Sequence, residues 1–214
     1  MSPRTTAAER SIRPRKRPRQ ARAHETRARI IDAAARVFAT RGYASGTTNH
    51  IAAEAGLSVG SLYQYFPNKD SILVELTRAH IAAGRDAVAA ALAGSGPGLE
   101  PRLRAVVHAM LDVHAGGHLL HRVLFEEAPR PRALLEELRA VEDGFVTDAG
   151  RVLAEDGTVA VADRDLAAWM VVTIVESVVH RFVVRPDAAD RRDELEDELV
   201  TLLLAYLRAA PTRR

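Results

Sequence analysis

From residue 25 onward, apolar side chains recur at helical spacing along most of the chain. Ile30, Ala34, Val37 and Phe38 share one face, and Gly42 follows where a helix end favours a left-handed residue, predicting a first helix over about 26–41. Thr47 is placed to cap a second, short helix that runs through Ile51 and Ala52 to Ala55. Gly56 supplies a sharp turn, Leu57 an apolar plug, and Ser58 a cap for a third helix from Val59 to about Phe66. Pro67 closes that helix, and Asp70 or Ser71 opens a long fourth one reaching about Leu92. Two short helices around a three-residue turn with glycine are the pattern of a helix-turn-helix.

Gly94 to Gly98 then interrupts the periodicity as a loop. A helix precedes these glycines where a phosphate-cradling loop needs a strand, and no Lys-Ser/Thr follows. Further helices are expected near residues 100–115, 118–128, 131–155, 163–184 and 190–209, with Thr158 to Ala162 as a short connection. The predicted fold class is all-α, about nine helices in total, with domains over 1–24 (a basic tail), 25–70 (the helix-turn-helix) and 71–214 (a helical domain). In the final helix Leu195, Leu199, Leu202 and Tyr206 form an apolar stripe, with Leu203 and Leu207 beside it. The helix over 163–184 is apolar almost all round, which predicts burial on both sides.

Composition narrows the classes. A chain of 214 residues, 47% hydrophobic, can bury a proper core. No run approaches the roughly 18 apolar residues of a membrane span, and no apolar stretch of signal-peptide length opens the chain, so a cytoplasmic protein without a membrane partner is expected. The absence of cysteine excludes disulfides and thiolate chemistry. The net charge of +2 is unevenly distributed: residues 1–24 hold eight basic side chains against Glu9, leaving 22 basic against 27 acidic residues in the rest. With Pro3, Pro14 and Pro18 and few apolar residues, this segment is expected to be disordered. It reads as a solvated extension or as an arm along DNA phosphates; an organelle transit peptide fits less well, since no amphipathic period is present.

Within the helix-turn-helix, Ile51, Ala52, Ala55, Leu57, Leu62 and Phe66 fall on the packing side. Val59, Gly60, Ser61, Tyr63, Gln64 and Tyr65 are left as an uncharged outward face, on which Gln64 suits adenine, Val59 a thymine methyl, and the hydroxyls phosphate. A Tyr-Gln-Tyr run on a short helix is by itself more often ordinary partly buried surface. The ordered stretch from Gly42-Tyr43 through Thr47-Thr48-Asn49-His50-Ile51-Ala52, Ala55-Gly56-Leu57-Ser58, and Leu62-Tyr63-Gln64-Tyr65-Phe66-Pro67-Asn68-Lys69-Asp70 closely resembles the DNA-binding domain of tetracycline-repressor (TetR) family regulators. The resemblance covers about residues 27–76. It implies a double-stranded DNA operator, with phosphate contacts from Thr47, Thr48, Tyr63, Tyr65 and Lys69 and base-edge contacts from Asn49, Val59, Gly60, Ser61 and Gln64; Ser58 completes the expected set. It also implies a C-terminal domain that dimerises through its last two helices and binds a small-molecule effector. Gly46 departs from the family pattern, where Thr is common, and is expected to loosen the approach to the second helix.

Trp169, Thr173, Glu176 and His180 recur at offsets of four, three and four, so they share one arc of a helix. A carboxylate and an imidazole on an apolar helix need partners; the arc is either a ligand pocket or an internal Glu-His pair. His114, His118 and His121 with Phe125 invite the same comparison, while their irregular spacing around Gly116-Gly117 and the want of an obvious carboxylate ligand argue against a metal. No cofactor is expected, and no nucleophile-base arrangement or Gly-rich cofactor loop suggests an enzyme. The expected function is a DNA-binding repressor released from a palindromic operator by an effector; the alternative is a ligand-independent architectural protein of the same fold.

Overall fold

A computed structural model describes residues 19–115, 123–124 and 132–209. Those residues form helices and connections without a strand. The helices are α1 (Arg19–Ser45), α2 (Thr48–Glu54), α3 (Val59–Tyr63), α4 (Lys69–Gly94), α5 (Leu99–Ala115), α6 (Arg132–Glu155), α7 (Arg164–Phe182) and α8 (Arg192–Arg208). Val123 and Leu124, inside the expected helix over 118–128, are π-helical and buried.

Several boundaries differ from expectation. α1 begins at Arg19, so residues 19–24 of the expected disordered tail are helical; Gln20, Ala21, Arg22 and Ala23 are all good helix formers. Its regular part breaks at Gly42, whose φ of 71° is the left-handed value expected there. α3 stops at Tyr63 rather than at Phe66, because Gln64 caps it and the Tyr65 and Phe66 N–H groups both turn back to Leu62 O ahead of Pro67. α4 starts at Lys69, capped by Asn68 rather than by Asp70 or Ser71: Asn68 Oδ1 accepts from Ser71 N at 2.8 Å and Ser71 Oγ donates to Asn68 O.

Two hydrophobic clusters result, and α4 contributes to both. The first gathers Ile30, Ala33, Ala34, Val37 and Phe38 of α1 with Ile51, Ala52, Leu62 and Phe66, then Ile72, Leu73 and Leu76 of α4, and Val123 and Leu124. The second joins Val88 of α4 to α5 through α8, with Val107, Leu203 and Leu207 fully enclosed. Each such aliphatic side chain contributes about 1.5–3 kcal/mol on burial.

The last two helices sort their apolar residues differently from the sequence reading. On α8, Leu199, Leu203 and Leu207 face inward, whereas Leu202 is 53% exposed. One strip of α7 is buried, through Ala167, Ala168, Val171, Val175, Val179 and Phe182, while Leu166 and Trp169 are about half exposed, so this helix is not covered on both sides within one chain. The Tyr206 hydroxyl donates to Met170 Sδ at 3.3 Å and ties the two helices side by side. Among the described residues no helix is long and apolar enough to cross a membrane.

Candidate functional site

The helix-turn-helix is held by local hydrogen bonds as well as by its core. Thr47 caps α2, its Oγ1 accepting from His50 N at 3.3 Å while His50 Nδ1 accepts from Thr47 N. Gly56, at φ 63°, turns the chain toward Ser58, whose Oγ accepts from Ser61 N at 3.1 Å and lies 2.8 Å from Ser61 Oγ. Thr48 Oγ1 and Tyr63 Oη sit 3.2 Å apart and join α2 to α3. Arg36 of α1 pairs with Glu54 of α2 at 2.6 Å.

These contacts leave Asn49, Gly60, Tyr63 and Gln64 exposed, with Tyr63 half open to solvent. A side chain added at Gly60 would meet open space. Val59 and Tyr65, expected on the outward face, are half-buried against the first cluster instead. Lys69 is also engaged: its Nζ donates to Tyr43 O at 2.8 Å and lies 4.1 Å from the Tyr43 ring centroid. Lys69 therefore neutralises the carbonyl end of α1. Tyr43 in turn donates its hydroxyl to Asp70, and burial and that carboxylate push the phenol above its ordinary range. Gly46 does not loosen the approach to α2. It is buried against Phe38, and a Cβ there would stand 2.7 Å from the ring.

A second candidate site lies between α4, α5, α6 and α7. One lobe, of about 120 Å³, is walled by Val88, Leu92, Leu103, Val106, Val152 and Val175, among others, with Arg102 and Asp148 among its polar residues. The adjoining lobe, of about 230 Å³, carries His80, His114, Glu142 and His180. Arg85, Met110, Phe145 and Glu176 line both, so the two lobes lie side by side.

Of the residues expected in a pocket, His114, Glu176 and His180 line this cavity. Trp169 and Thr173 do not. Trp169 is 48% exposed, two helical turns from Glu176, and the Thr173 hydroxyl is buried without a hydrogen-bond partner among the described residues. A shared helical arc fixes a direction but not which neighbour lies there at each level. His118, His121 and Phe125 fall outside the described residues. Sequence reasoning missed His80, Arg85, Glu142 and Phe145, which come from α4 and α6, where only the packing of four helices brings them together.

The imidazoles form a chain. His114 Nδ1 donates to Met110 O at 2.6 Å, so in the neutral ring its Nε2 accepts from His80 Nε2 at 3.3 Å. The His180 ring stands edge-on to His114 with centroids 4.9 Å apart. Burial, then the charge of His114, lowers the His80 pKa to about 4; burial lowers that of His114 as well, against the bond to Met110. Burial, then the Glu142 charge, pushes Glu176 up to about 7. Among the described residues no group of three or more His, Asp or Glu side chains is placed to hold a metal ion.

Comparison with known proteins adds the family. Residues 30–76 match the family described as bacterial regulatory proteins, tetR family, and residues 98–207, about half the chain, match a tetracyclin repressor-like C-terminal domain. The HTH-type transcriptional regulator BetI of Agrobacterium fabrum is 39% identical over 80 residues, an alignment spanning 37% of this chain and only 38% of that protein. The HTH-type transcriptional regulator TtgR of Pseudomonas putida is 28% identical over 211 residues, 90% of this chain and 96% of the relative. Among solved structures, the fatty acid degradation regulator FadR from Bacillus halodurans superposes with a TM-score of 0.67 at 24% identity, covering 91% of this chain and 99% of that one. With both parts of the chain matched in order, the protein is a DNA-binding transcriptional regulator of the TetR family.

Proposed function

We propose that the protein is a repressor that binds a palindromic operator as a homodimer and leaves it when a small molecule fills the cavity between α4 and α7. The observation that carries this reading is the position of α4, whose first turns pack in the helix-turn-helix cluster while Arg85 and Val88 line the cavity. A ligand that changes how α4 sits then changes how the two α3 helices are presented, and by linkage DNA and effector weaken each other's binding.

In this reading residues 25–70 read DNA and residues 71–214 sense and dimerise. Asn49, Gly60, Ser61 and Gln64 touch base edges; Thr47, Thr48, Ser58 and Tyr63 touch phosphate. Val59 and Tyr65 contribute from their exposed edges, and Lys69 by giving up its bonds to α1. Two copies pair through the exposed apolar residues of α7 and α8, Leu166, Trp169 and Leu202. Half-site centres are then separated by about 34–36 Å or a multiple.

Selection of bound sequences from a random DNA pool tests the reading. Enrichment of an inverted repeat is expected; recovery of sequences without two-fold symmetry would falsify it.

A further inference from the structure

The unit that reads DNA has little positive charge of its own. Residues 25–70 carry five cations, Arg27, Arg29, Arg36, Arg41 and Lys69, against Glu25, Asp32, Glu54 and Asp70. Three of the five are committed within the fold: Arg27 to Glu75 at 2.7 Å, Arg36 to Glu54 at 2.6 Å, and Lys69 Nζ to Tyr43 O at 2.8 Å. The exposed residues on and beside α3, Gly60, Tyr63 and Gln64, add none. A large part of the affinity of a protein for duplex DNA comes from neutralising phosphates and releasing their counterions. A nearly neutral reading unit leaves that part to be supplied from elsewhere in the chain.

Residues 1–24 have the opposite balance: Arg4, Arg10, Arg13, Arg15, Lys16, Arg17, Arg19 and Arg22 stand against Glu9 alone. Residues 1–18 lie outside the described residues, and Met1, Ala7, Ala8 and Ile12 are their only hydrophobic side chains, so what they offer a partner is charge. All but one of the eight cations are arginine, whose planar fork pairs with two oxygens of one phosphate. The first turn of α1 holds no acidic residue, and Arg19 and Arg22 stand at the helix end whose dipole disfavours cations, so their charge does not serve the helix. The fold also fixes where this segment joins. Arg27 lies 5.1 Å over the ring of Phe66, just past the end of α3. From that contact α1 extends only about 12 Å further, to Arg19. Eighteen residues reach at most about 60 Å when extended, against roughly 34 Å for one turn of duplex.

We infer that residues 1–22 are a second DNA-binding element, an arginine arm that pairs with the phosphates flanking each half-site. The arm supplies the electrostatic part of the affinity, and the residues on α2 and α3 supply the selectivity. This assignment rests on the operator reading above and extends the contact beyond the base pairs that the helix-turn-helix reaches. Phosphates carry no sequence information, so the arm strengthens binding to operator and to random DNA together and leaves the ratio between them nearly unchanged. Its contribution falls as salt rises, because each phosphate it neutralises releases counterions.

The test compares the intact chain with a variant carrying Arg4→Gln, Arg10→Gln, Arg13→Gln, Arg15→Gln, Lys16→Gln and Arg17→Gln together, all outside α1. The probes are the inverted-repeat duplex enriched from the random pool, with and without one turn of flanking duplex on each side, and a scrambled duplex of the longer length. Anisotropy titrations between about 50 and 200 mM salt give the slope of log affinity against log salt. The variant is expected to melt as the intact chain does, to bind both long duplexes at least about tenfold more weakly at the lower salt, and to show a slope shallower by about four or more per dimer. Its preference for the repeat over the scrambled duplex is expected to stay within about threefold of the original. Flanking duplex is expected to strengthen binding of the intact chain more than that of the variant. A chain with residues 1–18 permuted in order but unchanged in composition is expected to bind as the intact chain does. Equal salt slopes for the intact chain and the variant, or an equal gain from flanking duplex, overturn the arm. A permuted segment that binds as weakly as the variant overturns its pairing with phosphate. If no repeat is enriched, the operator reading fails by itself, and the slopes on the scrambled duplex still decide the arm.

Discussion

The guanidinium of Arg78 on α4 grips the carboxylate of Glu137 on α6 through two parallel hydrogen bonds, Nε to Oε2 at 2.7 Å and Nη2 to Oε1 at 2.5 Å. The same guanidinium holds Glu75 at 2.6 Å, and Glu75 pairs with Arg27 of α1 at 2.7 Å. Arg27 lies 5.1 Å over the Phe66 ring, just past α3. Burial would raise Glu75, yet the bonds from Arg78 and Arg27 hold it below the usual carboxylate range. A continuous ionic path thus joins α6, which carries Glu142 and Phe145, to the helix-turn-helix.

Because these side chains are roughly two-fifths exposed, Arg78→Ala and Glu137→Ala are expected to show a coupling of only about 0.2–1 kcal/mol in a double-mutant cycle. The coupling is expected to shrink as salt rises. Urea denaturation of the four proteins measures it, and additive losses would mean the fork contributes nothing.

The outward residues of α7 and α8 give a prediction about assembly. Leu202→Glu changes a side chain that is 53% exposed in one chain, so it should leave the monomer folded, convert the dimer to monomers in sedimentation, and abolish tight operator binding. Leu199→Glu, only one turn away but 4% exposed, is expected to lower the melting temperature instead, because it buries a charge in the core. A dimer that survives Leu202→Glu places the interface elsewhere.

These two leucines also show where sequence reading stopped. Helical periodicity located almost every element, because long amphipathic segments with glycine, proline and capping signals between them leave few alternatives. It could not distinguish Leu199 from Leu202, since both lie on an apolar stripe wider than the surface that one neighbouring helix covers. The helix-turn-helix was legible almost residue by residue because its caps and turn are local. The cavity was legible only on α5 and α7, through His114, Glu176 and His180; His80 and Glu142 look like ordinary polar positions until four helices converge.

Exposed and engaged side chains on α3 and α4 should behave differently on DNA. Gln64→Ala is expected to lose about 1–3 kcal/mol of discrimination at one base pair per half-site. Lys69→Ala is expected to weaken all sequences alike and also to lower the melting temperature, since its ammonium caps Tyr43 O in the free protein. Anisotropy titrations against operator and scrambled DNA separate the two effects; an unchanged melting temperature for Lys69→Ala would show that this cap contributes little.

Stability should depend on pH through two opposed groups. The folded pKa of Glu176 is raised to about 7, so its contribution is fully present below its ordinary value of 4.5 and is lost as pH rises through 7. That of His80 is lowered to about 4, so the protein loses stability as pH falls from 6.5 toward 4. Allowing for partial solvent screening, Glu176→Gln is expected to raise the melting temperature at pH 8 relative to pH 5.5 by about 2–6 °C. Scanning calorimetry across that range checks the sign, and a larger gain at the acidic end contradicts it.

Gly46 yields the sharpest packing test, because the family pattern would place threonine there. Its φ is not among the positive values, which belong to Gly42, Gly56 and Gly98, so backbone strain is not what requires glycine. Space is: a Cβ would lie 2.7 Å from Phe38 Cδ1 and 3.0 Å from both Phe38 Cε1 and Gly42 O. The Phe38 ring is fully buried and packs against Tyr43 at 5.6 Å between centroids, so moving it disturbs the first cluster and the residue that holds Lys69. Gly46→Ala is therefore expected to cost about 1–3 kcal/mol, and Gly46→Thr more. Adding Phe38→Leu, which clears the ring, should recover part of the loss, so that the double variant is more stable than the sum of its singles. Thermal melts of the four proteins decide the matter: an unchanged melting temperature for Gly46→Ala would mean that the ring yields freely and the close packing at this turn is not what selects glycine.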